Sequence, residues 1–419
     1  MILSSEVQRK GKAAKNAAAV LANVNSLIKD KALSLIADSL ESNEEEILKA
    51  NEIDLKHLEQ SEGYSKAFHD RLMLTPERIK GMADGLREIV DLADPVGEVT
   101  KMWRRPNGLQ IGQVRVPLGV VAIVYEARPN VTVDAAGLAL KSGNAVVLRG
   151  SSEAINSNKA LVKVIRTSLE EAGLPADAAV LIESTERSVV QELMKANDYI
   201  DVLIPRGGPS LIRAVIENST VPVIQTGAGN CHTYVDCQAD LKMAEAIAVN
   251  AKVQRPGVCN AMETLLVHED IAAAFLPNVI TALVKEGVEV RGCTETQKYH
   301  TAVKPASEED WATEYLDLVL AVKVVKNLEE AIKHINKFGT KHSEAIVTDN
   351  YHTAIYFVDN IDAAAVYVNA STRFTDGAEF GLGAELGIST QKIHARGPMG
   401  LEALTTQKYI VYGEGQIRQ

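Results

Sequence analysis

From residue 119 onward, apolar runs alternate with amphipathic segments, and this pattern limits the folds open to the chain. Residues 120–125 form a continuous apolar run, which is typical of a strand buried on both faces of a sheet. Further strands are predicted at 145–148, 180–182 and 199–204, with helices at 133–141, 155–172 and 189–196. Alternation at this spacing implies right-handed crossovers and therefore an open α/β fold with a parallel sheet.

A second series of the same kind follows over residues 236–388. Its strands are predicted at 263–267, 317–324, 345–348 and 364–369, and its helices at 271–286 and 328–338. A chain of 419 residues is too long for one ordinary hydrophobic core, so each series is expected to form its own domain.

Residues 97–117 depart from this alternation and read as a hairpin. Two strand-like segments, 98–104 and 109–116, flank Pro106-Asn107-Gly108, and Asn-Gly is a strong hairpin-turn signal. Residues 409–412 predict another short strand that would complete an intersubunit sheet with this arm. A plain surface hairpin is the alternative.

Two polar turns of the first series each follow a strand and precede a helix. One is Arg149-Gly150-Ser151-Ser152, and the other contains Gly207 and Gly208. This is the edge at which open α/β sheets bind nucleotides, and helix amino ends offer N–H groups to phosphate. Either turn alone can be an ordinary tight turn, but two on one sheet favour a dinucleotide.

The candidate nucleophile is Cys259, in the segment Arg-Pro-Gly-Val-Cys-Asn at 255–260. Pro256 and Gly257 break regular structure, so the thiol is expected on an irregular loop. A nearby cation such as Arg255 lowers a thiol's pKa, and Asn260 with the loop N–H groups can donate to an oxyanion. The alternative is a buried free cysteine that acts as a small apolar residue.

Composition excludes several functional classes. A net charge of −11 argues against nucleic-acid binding, and four cysteines without paired spacing predict neither a metal site nor a disulfide framework. The longest apolar stretch, 271–284, is too short for a membrane span, and the N-terminus has no apolar signal core. We therefore expect a cytoplasmic protein without a membrane partner.

Several motifs carry a resemblance to a known family. Residues 136–149 and the Cys259 loop resemble the cofactor strand and nucleophile loop of the aldehyde dehydrogenase superfamily. The chain is similar, more narrowly, to the γ-glutamyl phosphate reductase family at residues 125–132, 254–260, 333–335, 339–344 and 394–400. The resemblance spans essentially the whole chain.

The resemblance implies an aldehyde dehydrogenase-like fold with a Rossmann-type cofactor domain, an α/β catalytic domain and a β-hairpin oligomerisation arm. The expected domains are 1–96 with 118–235 for NADP binding, 236–400 for catalysis with Cys259, and 97–117 with 401–419 for the arm. A homo-oligomer and functional coupling to glutamate 5-kinase are also implied.

The implied reaction is NADPH-dependent reduction of L-glutamyl 5-phosphate to L-glutamate 5-semialdehyde and phosphate, the second step of proline biosynthesis from glutamate. Cys259 would form a thioester, so that one hard step becomes two easier ones. A coenzyme A-acylating aldehyde dehydrogenase and a non-redox thiol acyltransferase or hydrolase are the alternatives.

A departure from oxidising aldehyde dehydrogenases fits a reductase. Those enzymes carry a glutamate general base about a strand before the cysteine, and Gln225 stands at the corresponding position here. A neutral amide cannot activate water, so a thioester would survive until it is reduced. Asp236 or Glu217 would serve as the base if this alignment is shifted.

The resemblance also implies cofactor and oxyanion contacts. Arg149 with Ser151 and Ser152 suits the 2′-phosphate of NADPH, and Glu314 resembles the glutamate that binds the nicotinamide ribose. Asn130 is the candidate for the oxyanion-binding asparagine, with main-chain N–H groups of the Cys259 loop as the alternative.

An amino acid with an acyl phosphate carries two anionic groups, and each needs a cation. Arg128, Arg255 and Arg396 are the candidates, because a guanidinium binds carboxylate and phosphate through two parallel hydrogen bonds. An ordinary surface arginine is the alternative for each of them.

Overall fold

The computed structural model describes residues 5–60, 64 and 66–418, which divide into two compact units. The first unit comprises the chain up to residue 226 together with 381–387 and the segment from 399 onward. The second unit comprises residues 227–380 and 388–398. No helix in the described part of the chain is both long and apolar enough to span a membrane.

Helices of the first unit come mostly before its parallel sheet. They are α1 (Ser5–Leu21), α2 (Ser26–Ser42), α3 (Glu44–Glu59), α4 (Lys66–Leu72), α5 (Pro76–Asp91), α6 (Pro129–Lys141), α7 (Ile155–Glu171), α8 (Arg187–Leu193) and α9 (Pro209–Asn218). Helix α5 has a capped start: the Thr75 side chain accepts a hydrogen bond from the Arg78 N–H at 3.2 Å, and Pro76 is the first helical residue.

The sheet of the first unit has four parallel strands. They are β3 (Val120–Tyr125), β4 (Ala145–Arg149), β5 (Ala179–Leu181) and β6 (Val202–Arg206), in the spatial order β5-β4-β3-β6. Every residue of β3 is buried, as the apolar run predicts. Because the strands are parallel, Tyr125, Arg149 and Arg206 meet at the carboxyl edge of this sheet.

A three-stranded antiparallel sheet forms the arm. Strands β1 (Val99–Arg104), β2 (Gln110–Pro117) and β16 (Thr405–Tyr412) lie in the order β1-β2-β16. Gly108 at the hairpin tip has a φ of 90°, a conformation that glycine adopts without steric cost. The hairpin forms as predicted, and its partner strand starts at residue 405, earlier than the expected 409.

The second unit is built around a seven-stranded parallel sheet. Its strands are β7 (Cys231–Val235), β8 (Met262–His268), β9 (Glu289–Gly292), β10 (Lys304–Pro305), β11 (Val319–Val325), β12 (Ser343–Val347) and β13 (Ala365–Val368). The spatial order is β10-β9-β11-β8-β7-β12-β13, and every pair is parallel. A separate antiparallel pair consists of β14 (Ile388–Ser389) and β15 (Gly397–Pro398).

Helices cover both faces of this sheet. They are α10 (Leu241–Val253), α11 (Glu269–Lys285), α12 (Leu328–Phe338) and α13 (Tyr351–Asn360). Val235 of β7 packs in a core with α10 and α11, whereas its neighbour Tyr234 packs in another core with α12 and α13. Adjacent strand residues point to opposite faces, so one strand contributes to both cores.

The observed division differs from the expected one in two places. Strand β7 belongs to the second unit because it pairs with β8 and β12, so the division falls after residue 226 and not after 235. Residues 381–387 and 399–400, expected in the catalytic domain, group with the first unit.

Two predicted element boundaries also shift. The strand expected at 199–204 spans 202–206, and the helix expected to begin at 133 begins at Pro129. In the second case, proline is accommodated at the first helical position, where its missing N–H costs nothing.

Candidate active site

The nucleophile loop, residues 254–261, connects α10 to β8 in the second unit. Lys252 precedes the loop, Glu263 follows it, and their side chains form a fully buried ion pair at 2.5 Å. Glu263 also accepts a hydrogen bond from the Leu316 N–H at 3.1 Å. Burial raises the pKa of Glu263 to about 7 and lowers that of Lys252, although the attraction between them opposes both shifts. The two ends of the loop are therefore joined.

Cys259 is half-buried and lies on this irregular loop, as predicted. Gly229 and Cys231, the first residue of β7, contact its backbone. Its carbonyl oxygen accepts a hydrogen bond from the Cys231 thiol at 3.2 Å. Gly229 approaches so closely that a Cβ there would overlap the Cys259 carbonyl. Burial raises the pKa of the Cys231 thiol, which keeps it a neutral donor. Sequence reasoning missed both supporting residues.

The Asn260 side chain is fully engaged by a turn at residues 371–375. Its Nδ2 donates to the carbonyls of Arg373 at 3.3 Å and Thr375 at 2.8 Å, and its Oδ1 accepts from the Arg373 guanidinium. The Asn260 carbonyl accepts from the Thr372 hydroxyl at 2.7 Å. Both amide hydrogens are occupied, so the side chain positions the loop. The predicted donation to an oxyanion would have to come from a main-chain N–H here.

Arg255 and Arg373 both lie at this loop, but only Arg255 was predicted from the sequence. Arg255 is exposed. Arg373 is half-buried, and its Nε donates to the Gln254 side-chain oxygen at 2.8 Å. Burial and the charge of Arg255 lower the pKa of Arg373, while Asp376 and Cys259 act to raise it. No local sequence signal identifies Arg373, because its contact with Asn260 spans 113 residues.

A buried polar network links the 371–375 turn to the amino edge of the sheet. The Thr375 hydroxyl lies 2.6 Å from the Ser343 hydroxyl and 2.7 Å from the Tyr367 hydroxyl. Ser343 in turn lies 2.8 Å from His342 Nδ1. Burial lowers the pKa of His342 to about 4, so this imidazole is neutral near pH 7.

Glu314 lies next to the nucleophile loop through Gly229. Its carboxylate accepts a hydrogen bond from the Gly229 N–H at 2.6 Å. Burial raises the pKa of Glu314, and the Gly229 hydrogen bond opposes that shift. The structure thus brings Cys259, Asn260, Arg255 and Glu314 together in one unit. The predicted ribose contact of Glu314 stays a prediction.

Arg149 ends β4 at the carboxyl edge of the four-stranded sheet. Its guanidinium donates to the carbonyls of Gly150 at 2.7 Å and Thr185 at 2.9 Å. Arg149 Nε and Asn158 Nδ2 are buried and have no hydrogen-bond partner in the described chain. A Cβ on Gly150 would overlap the Asn158 amide, so the turn leaves room only for backbone. Unpartnered buried donors around a glycine turn fit a bound nucleotide.

A carboxylate shares this turn. Ser152 donates to Glu153 at 2.9 Å, and the Tyr64 hydroxyl donates to it at 3.2 Å. Burial opposes ionisation of Glu153, but hydrogen bonds from its own N–H and from neighbouring hydroxyls outweigh it and lower its pKa. An ionised carboxylate beside Ser151 and Ser152 opposes a phosphate there, which the sequence did not suggest.

The second glycine turn is occupied by a side chain. The Glu126 carboxylate accepts a hydrogen bond from the Gly208 N–H at 2.8 Å, and it packs against Gly207. The N–H expected to bind cofactor phosphate therefore already has an anionic partner in the protein.

Three further predicted residues lie elsewhere. Arg128 and Asn130 are at the start of α6 in the first unit, where Asn130 donates to Asp134 at 3.0 Å. Burial raises the pKa of Asp134 to about 6. Arg396 forms an ion pair with Asp362 at 2.7 Å, and Lys341 and Lys392 bind the same carboxylate at 3.1 and 3.0 Å. That environment accounts for Arg396 structurally, and its substrate role stays a prediction.

Asp236 is excluded as the alternative general base. It follows β7 at the carboxyl end, whereas Cys231, which contacts Cys259, begins that strand. A five-residue strand separates the two ends by about 16 Å. Asp236 instead accepts hydrogen bonds from Tyr234 at 3.2 Å and Thr348 at 2.7 Å.

Comparison with known proteins identifies the family. The aldehyde dehydrogenase family model matches residues 3–317 and 300–410. The γ-glutamyl phosphate reductase of Moorella thermoacetica is 62% identical over 419 residues, with 100% of both chains covered. That of Heliobacterium modesticaldum is 61% identical over 418 residues, again with 100% of both covered.

Solved structures agree with this assignment. The crystal structure of γ-glutamyl phosphate reductase from Thermotoga maritima has a TM-score of 0.97 and 53% identity, and the match covers 99% of this chain and 100% of that one. An acetylating aldehyde dehydrogenase from Geobacillus thermoglucosidasius shares the fold, with a TM-score of 0.71 at 18% identity, covering 99% and 98%. The predicted aldehyde dehydrogenase-like α/β fold is confirmed. The chain belongs to the aldehyde dehydrogenase family, whose members use a nicotinamide cofactor, and it is similar over its whole length to γ-glutamyl phosphate reductases.

Proposed function

We propose that this protein reduces L-glutamyl 5-phosphate to L-glutamate 5-semialdehyde and phosphate, the second step of proline biosynthesis from glutamate. The main support is the half-buried Cys259, on a loop whose ends are joined by a buried ion pair, in a chain 62% identical to a γ-glutamyl phosphate reductase. The Cys259 thiolate attacks the acyl carbon, the bond from that carbon to the phosphate oxygen breaks, and phosphate leaves. A thioester remains on the protein.

When bound, a nicotinamide cofactor would supply the hydride that reduces this thioester. Main-chain N–H groups of the Cys259 loop stabilise the oxyanion that forms at the acyl carbon. The oxyanion then re-forms the C=O bond as the C–S bond breaks, which returns the thiolate and releases the aldehyde. Gln225 cannot serve as a general base, which favours survival of the thioester until it is reduced.

NADPH is the proposed hydride donor. Arg149 supplies a cation whose Nε has no partner in the described chain, and Ser151 and Ser152 add hydroxyl groups. The Glu153 carboxylate opposes the 2′-phosphate at the same turn. The preference for NADPH over NADH therefore depends on the balance between Arg149 and Glu153.

Arg128, Arg255 and Arg396 remain the proposed cations for the two anionic groups of the substrate, and Arg255 lies on the nucleophile loop itself. An acyl phosphate arises by phosphorylation of a carboxylate, so glutamate 5-kinase is the proposed source of the substrate.

A second copy of the chain is the proposed partner of the three-stranded sheet. Tyr409 and Tyr412 of β16 are 63% and 60% exposed. The ring of Trp103 in β1 packs edge-on against the ring of Tyr409, with 6.3 Å between the ring centroids. Aromatic side chains at this exposure are typical of protein interfaces. Val411→Lys should shift the sedimentation coefficient towards the monomer, and an unchanged assembly would contradict this role.

The reverse reaction tests the function directly. Purified protein is mixed with glutamate 5-semialdehyde and NADP⁺, and NADPH formation is followed with phosphate, with coenzyme A, or with neither. Oxidation that requires phosphate supports the proposal. Strict dependence on coenzyme A would establish the acylating alternative, and a lack of any cofactor reduction would favour a non-redox acyltransferase.

A further inference from the structure

We infer that Arg373, together with Arg255, forms the binding site for the departing phosphate group beside Cys259. This inference deepens the proposed function and rests on it for the identity of the substrate. Arg373 lies in the turn at residues 371–375, which comes far later in the chain than the nucleophile loop. It is a residue of the second unit, as are Arg255 and Cys259.

The position of Arg373 is fixed against the residue that follows the nucleophile. Its guanidinium donates through Nη1 to the Asn260 side chain and through Nε to Gln254 at 2.8 Å. The turn that carries Arg373 is fixed to the same residue, because the Thr372 hydroxyl donates a hydrogen bond to the Asn260 carbonyl at 2.7 Å. A guanidinium held at several points keeps its orientation before substrate arrives, which is what efficient positioning requires.

The charge of Arg373 is left uncompensated by direct contacts. Both oxygens that it contacts belong to neutral amides, and no carboxylate within 4.0 Å forms an ion pair with it in the described chain. Its Nη2 group has no hydrogen-bond partner among the same residues. Asp376 acts only at longer range, and its Oδ1 accepts from the Ala378 N–H at 2.9 Å.

Arg255 adds a second positive charge near the first, because Arg373 donates to the side chain of Gln254, the residue that precedes Arg255. The interaction between them is repulsive and lowers the pKa of Arg373, with burial as the larger cause. Two guanidinium groups near each other without a carboxylate between them are unfavourable until an anion binds. A phosphate accepts paired hydrogen bonds from each fork and removes that repulsion.

The structure of the substrate indicates which of its two anionic groups, phosphate or α-carboxylate, binds to Arg373. The phosphate is bonded through oxygen to the carbon that Cys259 attacks, whereas the α-carboxylate lies several carbons away. Arg373 contacts Asn260, the neighbour of Cys259, so the group that it can reach at the reacting centre is the phosphate. In the reverse direction the same site binds inorganic phosphate before it attacks the thioester.

The first experiment measures phosphate binding without any turnover. Inorganic phosphate is titrated against the rate at which iodoacetamide alkylates Cys259, with the modified peptide quantified by mass spectrometry. Phosphate should protect the wild-type thiol, and Arg373→Gln should need a roughly 10- to 100-fold higher phosphate concentration for equal protection. A wild-type thiol that phosphate does not protect would overturn the inference, whatever the reductase activity.

The second experiment separates recognition of phosphate from a merely structural role. In the phosphate-dependent reverse reaction, Arg373→Gln should raise KM for phosphate roughly 10- to 100-fold and leave KM for the aldehyde within about threefold. Arg373→Lys should recover part of the phosphate KM, because it keeps the charge and loses the fork. Parallel increases in both KM values, or no recovery with lysine, would show that Arg373 only supports the loop.

Two further variants control for the loss of a positive charge and for the orientation of Arg373. Lys326→Gln removes one exposed positive charge from the same unit and should leave both KM values unchanged. Gln254→Ala removes one of the two oxygens that orient Arg373 and should raise KM for phosphate by less than Arg373→Gln does. If the wild type shows no phosphate-dependent oxidation, the proposed function fails, while alkylation protection still decides whether Arg373 forms an anion site.

Discussion

The two parallel sheets present their candidate functional residues at opposite edges. In the first unit, Arg149 ends β4 and Gly208 follows β6, both at the carboxyl edge. In the second unit, the nucleophile loop leads into β8, and Cys231 and Ser343 begin their own strands, so the candidate catalytic residues lie at the amino edge. Crossover helices begin near the carboxyl edge and end near the amino edge of a parallel sheet.

This difference changes how an anion can be bound. At the carboxyl edge of the first unit, α7 and α9 begin, and helix amino ends carry partial positive charge that suits phosphate. At the amino edge of the second unit, α10 and α12 end, and helix carboxyl ends carry partial negative charge. An anionic substrate at that edge therefore needs side-chain cations, and Arg255 and Arg373 lie at the nucleophile loop there.

The largest effect expected from this comparison separates chemistry at the amino edge from nucleotide binding at the carboxyl edge. Cys259→Ala should lower turnover roughly a thousandfold or more, because the nucleophile is lost. Its affinity for NADPH, measured by fluorescence titration, should stay within about twofold of the wild type. Cys237→Ala, which removes an exposed thiol, should behave as the wild type. Appreciable turnover by Cys259→Ala would contradict covalent catalysis.

A second prediction concerns the ion pair that joins the ends of the nucleophile loop. Lys252→Met leaves the buried Glu263 carboxylate without its partner, which typically costs about 3–5 kcal/mol of unfolding free energy. The double variant Lys252→Met with Glu263→Leu should recover much of that loss, because no unpaired charge remains. Chemical denaturation followed by circular dichroism measures both. Equal losses in the single and double variants would show that the ion pair itself stabilises the loop.

A third prediction distinguishes the units by acid stability. His334 and His342 lie in the second unit, and burial lowers their pKa values to about 3 and about 4. The unfolded chain has histidine pKa values near 6.5, so it binds protons more readily than the folded unit. The stability that these two histidines contribute to the second unit should therefore be complete above pH 6.5 and be lost as the pH falls towards 4.

Trp311 makes this loss measurable, because its ring packs edge-on against His334 at 5.5 Å. In a Trp103→Phe background, its fluorescence reports on the second unit alone, since the chain has two tryptophans. His342→Asn should lower the acid midpoint by about 0.5–1 pH unit, because asparagine does not titrate. An unchanged midpoint would mean that His342 does not limit acid stability.

The smallest predicted effect is confined to the carboxyl edge of the first unit. Arg149→Ala should weaken NADPH binding about tenfold more than NADH binding, because one charge-assisted contact with the 2′-phosphate is lost. Glu153→Gln should shift the preference in the opposite direction by removing a nearby negative charge. Equal losses for the two nucleotides in Arg149→Ala would restrict Arg149 to its carbonyl contacts.

The sequence predicted those features that depend on local pattern. Strand β3 was identifiable from six consecutive apolar residues, and the hairpin tip from Asn107-Gly108. The position of Cys259 on an irregular loop followed from Pro256 and Gly257, because both interrupt regular structure. The assignment of β7 to the second sheet could not follow in this way, since strand pairing joins residues far apart in the chain.

The contacts that support the active site could not be predicted from local sequence patterns either, because they also join residues far apart in the chain. Arg373 and Asn260 are 113 residues apart, and Cys231 lies 28 residues before Cys259, so neither pairing has a periodic signal. The Lys252–Glu263 ion pair, in contrast, could have been predicted from the sequence. A glutamate at the head of an apolar strand needs a buried partner, and a lysine stands 11 residues before it on an apolar helix.

The pairing of β16 with β2 has a consequence for how the polypeptide matures on the ribosome. Gln113 and Tyr409, joined by a hydrogen bond across these strands, are 296 residues apart. The nascent β1–β2 hairpin therefore keeps one open edge until the residues of β16, almost 300 positions later, have been synthesised. Such an unpaired strand is a template for wrong association, so chaperone demand during synthesis should be greatest for this part of the chain.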